Sequence, residues 1–155
     1  RADPTEGSVC RLCIGQTGGH RLETGLVILK RGVLMALTSA MEDYLEAVLM
    51  MQQRHGYVRC VDVAEHLGVK KPSVSRAVKE LSKSGHLVKN ADGTLSLTET
   101  GLQLSEQIYE KHRFFTERLI AAGVDPKIAE QDACSIEHAV SAESFQKLKK
   151  AFNEG

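Results

Sequence analysis

The stretch Val61-Asp62-Val63-Ala64-Glu65-His66-Leu67-Gly68-Val69-Lys70-Lys71-Pro72-Ser73-Val74-Ser75-Arg76-Ala77-Val78-Lys79-Glu80-Leu81 decides the fold. It reads as two short helical patterns separated by a glycine. A helix–turn–helix needs a small residue where its helices meet, and Ala64 stands there. It needs a tight turn, and Gly68 supplies one. Pro72 suits the first turn of the second helix, and Val69, Val74, Val78 and Leu81 would hold that helix down. The opposite face then carries Lys70, Lys71, Ser73, Ser75, Arg76 and Lys79, groups that suit phosphates and base edges.

The segment downstream completes a reading head. His86–Lys89 and Thr94–Leu97 flank Asn90-Ala91-Asp92-Gly93, and Asp-Gly between two short β-prone runs signals a hairpin. Such a hairpin would be the wing of a winged helix, with Lys89 near its tip. Upstream, Thr38 or Ser39 can cap a helix that Gly56 ends. Glu42, the third residue after Ser39, has the spacing of a capping box. Met41, Tyr44, Leu45, Val48 and Met51 recur along that helix at helical spacing. Beyond the wing, Thr98 caps a long helix to about Ala122. Asp125-Pro126 starts another through Ala139, and Ser141 a last one to about Phe152. The expectation is a mainly α chain: a winged helix-turn-helix over 35–98, then an all-helical domain over 99–155.

Composition agrees with a soluble globular chain and hides a charge asymmetry. Of 155 residues, 42% are apolar and 26% charged, with a net charge of +0 and no Trp. That excludes collagen-like, disulfide-dense and multi-span membrane proteins. Residues 69–97 hold six basic and two acidic side chains, a net of +4, whereas residues 98–155 hold seven and ten, a net of −3. A basic patch for a polyanion thus precedes an acidic half able to hold cations. Cys10, Cys13, Cys60 and Cys134 make no disulfide framework, so reduced thiols and a cytoplasmic location are expected. Residues 1–34 lack periodicity and read as a disordered leader or non-native extension, with a native start at Met35 or Met41. Cys10-x-x-Cys13 there, with His20, lacks the second pair a zinc knuckle needs.

The helices flanking the reading head carry metal-ligand residue types. Cys134, Glu137 and His138, at i, i+3 and i+4, share one helical face. Asp43 and Glu46, at i and i+3, share a face of the first helix, and His112 lies within the long helix. From spacing alone the assignment stays open. Acidic pairs are common on wet faces, a lone His is more often an ordinary surface or core residue, and Cys134 could be a small buried hydrophobe. His55, His66 and His86 read as surface or loop residues.

Several separated motifs run in a shared order: Met41-Glu42-Asp43-Tyr44-Leu45-Glu46, the helix–turn–helix, Lys111-His112-Arg113, and Ser135-Ile136-Glu137-His138-Ala139-Val140-Ser141. In this the chain resembles the diphtheria toxin repressor family over about Leu37–Phe152, most closely its short manganese transport regulator branch. The resemblance implies a metal-activated transcriptional repressor, with a winged helix before a dimerisation and metal domain and without the SH3-like domain of longer members. It implies metal ligands at Asp43, Glu46, His112, Cys134, Glu137 and His138, and Mn²⁺ or Fe²⁺ as the cofactor. The signature is mixed. The manganese branch usually has Asp at the first position and Glu where Cys134 stands, and the iron branch has Met and Cys. A carboxylate favours hard Mn²⁺ and a thiolate softer cations. Thr116 and Glu130 replace ligands of the iron branch's ancillary site, so that site is not expected.

The combined expectation is a homodimeric repressor that binds a palindromic double-stranded DNA operator of metal-uptake genes, with one divalent ion bridging Asp43 and Glu46 to His112, Glu137 and His138. The alternative is a metal-independent winged-helix regulator responding to a small ligand. No nucleophile elbow, phosphate-cradling glycine loop or HExxH is present, so an enzyme is not expected, and no stretch is long and apolar enough to cross a membrane.

Overall fold

The computed structural model describes residues 37–153. Among these there are six helices and two strands: α1 (Ser39–His55), α2 (Cys60–Leu67), α3 (Lys71–Lys83), β1 (Leu87–Lys89), β2 (Leu95–Leu97), α4 (Glu99–Ala121), α5 (Pro126–Ala139) and α6 (Ala142–Asn153). The expectations for residues 1–34, Cys10, Cys13 and His20 included, lie outside the described residues.

The helix–turn–helix forms where the sequence places it. α2 begins one residue earlier than expected, at Cys60, because the backbone N–H of Arg59 donates to Asp62 Oδ2 at 2.8 Å and fixes the first turn there. Gly68 takes a left-handed conformation, φ 67°. The N–H of Val69 then donates to the Ala64 carbonyl at 3.0 Å, satisfying one of the orphan carbonyls at the helix end. Val74, Ala77, Val78 and Leu81 of α3 are buried, and Val69 is half-buried. They share one apolar cluster with Val63, Ala64 and Leu67 of α2 and Tyr44, Leu45 and Val48 of α1. Leu45, Leu67 and Leu81 are 0% exposed. Removing each such side chain from water contributes about 1.5–3 kcal/mol.

The wing is shorter than expected. β1 and β2 pair antiparallel in the register Leu87↔Leu97, Val88↔Ser96 and Lys89↔Leu95, and His86 and Thr94 fall outside the strands. Thr94 is instead held in the tip. Asp92 Oδ1 accepts its N–H at 3.0 Å and its hydroxyl at 2.7 Å. Thr94 also bridges to Arg59, and the Leu95 N–H donates to the Val58 carbonyl at 2.7 Å, so the segment before α2 lies beside the wing.

The wing is tied to the helical half through one tight joint. Thr98 caps α4 by accepting the Gly101 N–H at 3.1 Å, while its hydroxyl donates to the Gly85 carbonyl at 2.6 Å and its N–H to the His86 carbonyl at 3.1 Å. Gly101 is buried against this turn. A Cβ at Gly101 would stand 1.8 Å from the His86 carbonyl oxygen. His86, read from the sequence as a surface or loop residue, is half-buried in the joint, its Nδ1 2.9 Å from the Ser84 hydroxyl. Burial pushes its pKa below the usual imidazole value.

α4 packs most extensively on α5, and α1 lies between this pair and the reading head. α6 returns along α4, where Phe145 meets Phe114 and Phe115. Because the obstacle at Gly101 is backbone, Gly101→Ala is expected to destabilise the fold by about 1–3 kcal/mol, the usual range for overpacking. Urea unfolding checks this, and a wild-type midpoint would contradict the joint as described.

Candidate metal centre

α1 is buried on more than one side. Every residue from Asp43 to Met50 is buried, so the middle of this helix has no wet stripe. The i, i+3 pair of acids therefore lies inside: Asp43 is 2% and Glu46 0% exposed. The face bearing Leu45 and Val48 enters the reading-head core, while Asp43 and Glu46 meet α4 and α5.

α4 contributes His112, 5% exposed, and α5 contributes Cys134 and Glu137, 0% and 1% exposed. His138 is half-buried beside them. The six sequence-predicted residues come together, though in two groups rather than one. Asp43, Cys134, Glu137 and His138 form the first, and Glu46, His112 and Glu137 the second. Within each group one donor atom per residue lies within 4.8 Å of the others. Glu137 belongs to both. Thr116 and Glu130 belong to neither, and the Thr116 hydroxyl is buried without a partner.

Hydrogen bonds fix these side chains. His112 Nδ1 lies 2.8 Å from Glu137 Oε2. His138 Nε2 lies 2.8 Å from Asp43 Oδ1, and its Nδ1 2.7 Å from Glu42 Oε2. The Cys134 thiol donates to Asp43 Oδ1 at 4.0 Å. Lys111 Nζ donates to the carbonyls of Glu137 at 3.3 Å and Val140 at 2.9 Å, anchoring the end of α5 to α4.

Glu42 is a correction to the sequence reading. It does not close a capping box on Ser39. Thr38 caps α1, accepting the Met41 N–H at 3.3 Å, and the Glu42 carboxylate turns to His138. Carboxylates of this kind, bonded to the second nitrogen of a ligand imidazole, fix ring orientation and tautomer. Nothing in the spacing distinguishes Glu42 from any acid in a first turn.

Both carboxylate oxygens of Glu46, and Oε1 of Glu137, are buried without a hydrogen-bond partner. Orphan acceptors at this depth are costly unless protonated or bound to a cation. Carboxylates, imidazoles and one thiol are a donor set that suits a divalent transition metal, so the residues fit such an ion. The same crowding sets the protonation. Burial, then the charge of Glu137, pushes Glu46 up to about 8. Burial, then Asp43 and Glu42 against the opposing His138 cation, pushes Glu137 up to about 9. Burial opposes the His138 cation, but bonds to Asp43 and Glu42 and the nearby carboxylate charges outweigh it, raising His138 to about 10.

The basic face also lies where the sequence places it. Lys70, Lys71, Ser75, Arg76, Lys79 and Lys89 are exposed, and Ser73 is half-buried. Lys83, one turn further along α3, is paired with Glu80 at 2.9 Å.

The raised pKa values have a sign that can be checked. All three groups bind more protons folded than unfolded, Glu46 from 4.5 to about 8 and His138 from 6.5 to about 10. Their stabilisation is complete at low pH and is lost as pH rises through the folded values. Chelated protein is therefore expected to melt at progressively lower temperature between pH 5 and about 9, less so in Glu46→Gln. Thermal unfolding followed by circular dichroism measures this, and a melting temperature that rises over that window would contradict the assignment.

Two family models match the chain in tandem. The iron dependent repressor N-terminal DNA binding domain matches residues 36–95, and the iron dependent repressor metal binding and dimerisation domain matches residues 98–154. The chain is 33% identical over 111 residues to the HTH-type transcriptional regulator MntR of Listeria monocytogenes, covering 72% of this chain and 78% of that protein. It is similar to the solved manganese regulator SloR, with a TM-score of 0.67 and 28% identity, covering 74% of this chain and 54% of that one. It is also similar to IdeR of T. acidophilum, with a TM-score of 0.63 and 26% identity, covering 80% and 56%. The chain thus spans little more than half the length of those two structures. A reading head and a buried set of metal-ligand residues, in the order of both family models, place this chain in the iron-dependent repressor family, as a metal-dependent DNA-binding transcriptional repressor.

Proposed function

We propose that a divalent transition cation, Mn²⁺ or Fe²⁺, is the corepressor, and that Asp43, Glu46, His112, Cys134, Glu137 and His138 hold it. One observation carries this reading. The candidate ligands come from α1, which supplies Tyr44, Leu45, Ala47, Val48 and Met50 to the reading-head core, and from α4 and α5, of which α4 touches that core only from its side, through Leu104 and Tyr109. When bound, the cation supplies positive charge that relieves the crowding of three buried carboxylates. Glu46 and Glu137 then give up their protons to solvent, and His138 frees one ring nitrogen as a donor. α1 keeps one position against α4 and α5, and the reading head moves with α1.

Lys70, Lys71, Ser73, Ser75, Arg76 and Lys79 on α3, with Lys89 on the wing, face double-stranded DNA. A single head makes few contacts, and a palindromic operator suits a homodimer. Ile120, Ile128, Leu148 and Phe152, exposed apolar residues of the helical half, support a partner copy there. With one α1 position per protomer, the two heads keep one spacing, matched to half-sites in successive turns of the groove. The regulated genes encode uptake of the same metal. The chain acts in the cytoplasm as a regulator and not as an enzyme. Among the described residues no helix is long and apolar enough to cross a membrane.

Fluorescence anisotropy on DNA upstream of the chain's own gene and of neighbouring transporter genes tests this. Binding is expected after addition of Mn²⁺ or anaerobic Fe²⁺ and not in chelator. Glu137→Ala with His138→Ala is expected to abolish the metal response. Equal binding in chelator would favour the metal-independent regulator instead. Arg76→Ala with Lys79→Ala is expected to flatten the dependence of log affinity on log salt by roughly 0.9 for each phosphate left without its cation. An unchanged slope would remove α3 from the DNA interface.

A further inference from the structure

The wing is attached at two places, and they lead to different helices. Thr98, with Gly85 and His86, ties its base to α4. Its second strand is tied to α1. In an antiparallel pair the N–H and C=O of one residue point to the same side. The Leu95 N–H donates to the Val58 carbonyl at 2.7 Å, and the Leu95 carbonyl accepts the Gln52 side-chain amide at 3.0 Å, so both groups turn away from β1. Leu95 is buried, and a carbonyl at that depth is costly to leave without a donor. Of Gln52, Gln53, Arg54 and His55 at the end of α1, only Gln52 is half-buried, and the other three are exposed. Within the wing, the placement of β2 sets that of Lys89. Lys89 stands opposite Leu95, and the next residue, Asn90, donates from its side chain to the hydroxyls of Thr94 and Ser96, each at 2.9 Å.

We infer that Gln52 is a positioning residue for DNA binding: its amide holds the wing to α1, so that Lys89 and the basic face of α3 meet the duplex as one surface. α1 and α3 share the reading-head core, so a wing fixed to α1 is fixed to α3 as well. Without the Gln52 donor the wing keeps its joint to α4 and the loop contacts at Val58 and Arg59, and Lys89 loses its set place relative to Arg76. Gln52 itself touches no DNA and acts through Lys89. The inference rests on the reading above that Lys89 faces DNA, and deepens it by naming what places Lys89 there.

A cycle of substitutions in the full chain tests this, read as the dependence of log affinity on log salt with Mn²⁺ present, on the duplex from upstream of the chain's own gene. Gln52→Met keeps the length and the apolar stem and removes the donor. Lys89→Ala is expected to flatten the slope by roughly 0.9 in the wild-type chain, one phosphate contact, and to leave it unchanged in Gln52→Met. Arg76→Ala should flatten the slope equally in both, which shows α3 in place and the variant folded. Gln52→Lys, whose ammonium can reach the same carbonyl, should restore the effect of Lys89→Ala. Amide hydrogen exchange of the free chain gives a second reading that needs no DNA: the Leu95 N–H should exchange faster in Gln52→Met, and the amides of α3 should not. Equal flattening by Lys89→Ala in the wild-type and Gln52→Met chains, or unchanged exchange at Leu95, would overturn the role of Gln52 alone. A wild-type slope indifferent to Lys89→Ala would remove the wing from the DNA interface and the inference with it.

Discussion

Asp43, Glu46 and Glu137 are carried into the interior by helices whose apolar faces pack there, and the rest of the molecule answers to their charge. α1 buries Leu45, Ala47 and Val48 in the reading head, and α5 buries Ala129 and Ala133 against α4. Their remaining faces meet, and that interface is lined with acids. A carboxylate removed from water without a partner is costly enough that it takes a proton or a cation instead. Burial and the neighbouring charges raise the pKa of both Glu46 and Glu137, which makes a proton one way to satisfy them. Under the proposed function a divalent ion would satisfy them better, because it brings more charge and can meet several oxygens at once. The site is a place where protons and metal compete, and metal binding is necessarily coupled to proton release.

Under the proposed function the position of α1 converts that competition into a signal. Tyr44, Leu45 and Val48 share a core with Val63, Leu67, Val74 and Leu81, so α1 and the helix–turn–helix behave as one packed unit. Asp43 and Glu46 sit on the same helix, one turn apart. A shift of α1 against α4 and α5 is therefore a shift of α3 against the helical half. The joint at Thr98, Gly101 and His86 holds the wing close to the start of α4 and leaves the reading head a restricted path of movement. Lys111, bonded to the last carbonyls of α5, keeps the other side of the site rigid. In this account the cation selects among a few packed arrangements of α1 and creates no new structure.

Much of this was legible in the sequence because it depends on local rules. Gly68 and Ala64 mark the turn, Asp92-Gly93 the hairpin, and Thr98 and Asp125-Pro126 two helix starts, each through a requirement that few other residues meet. The clustering of Cys134, Glu137 and His138 follows from helical periodicity alone. What could not be read is what depends on two elements meeting. An i, i+3 acidic pair looks the same on a wet face and a buried one, and only the packing of α1 on α4 and α5 reveals that Asp43 and Glu46 are inside. The split of the ligands into two groups sharing Glu137 is a matter of side-chain geometry across three helices. Glu42 was misread because local spacing favours a capping box, whereas a histidine 96 positions away claims its carboxylate. His86 lies in a loop, as read, but its partial burial depends on the approach of Gly101, which local spacing does not show.

The coupling of the metal centre to the reading head is tested most directly by reciprocity. Calorimetry would give the affinity for Mn²⁺ of the free chain and of the chain saturated with operator DNA. Linkage requires the operator to tighten Mn²⁺ binding by the same factor by which Mn²⁺ tightens operator binding, roughly 5–150-fold for couplings of this kind. Equal factors would mean that both ligands select one arrangement of α1. An affinity for Mn²⁺ that is the same with and without operator would mean that the buried acids and the DNA-facing helix are not coupled.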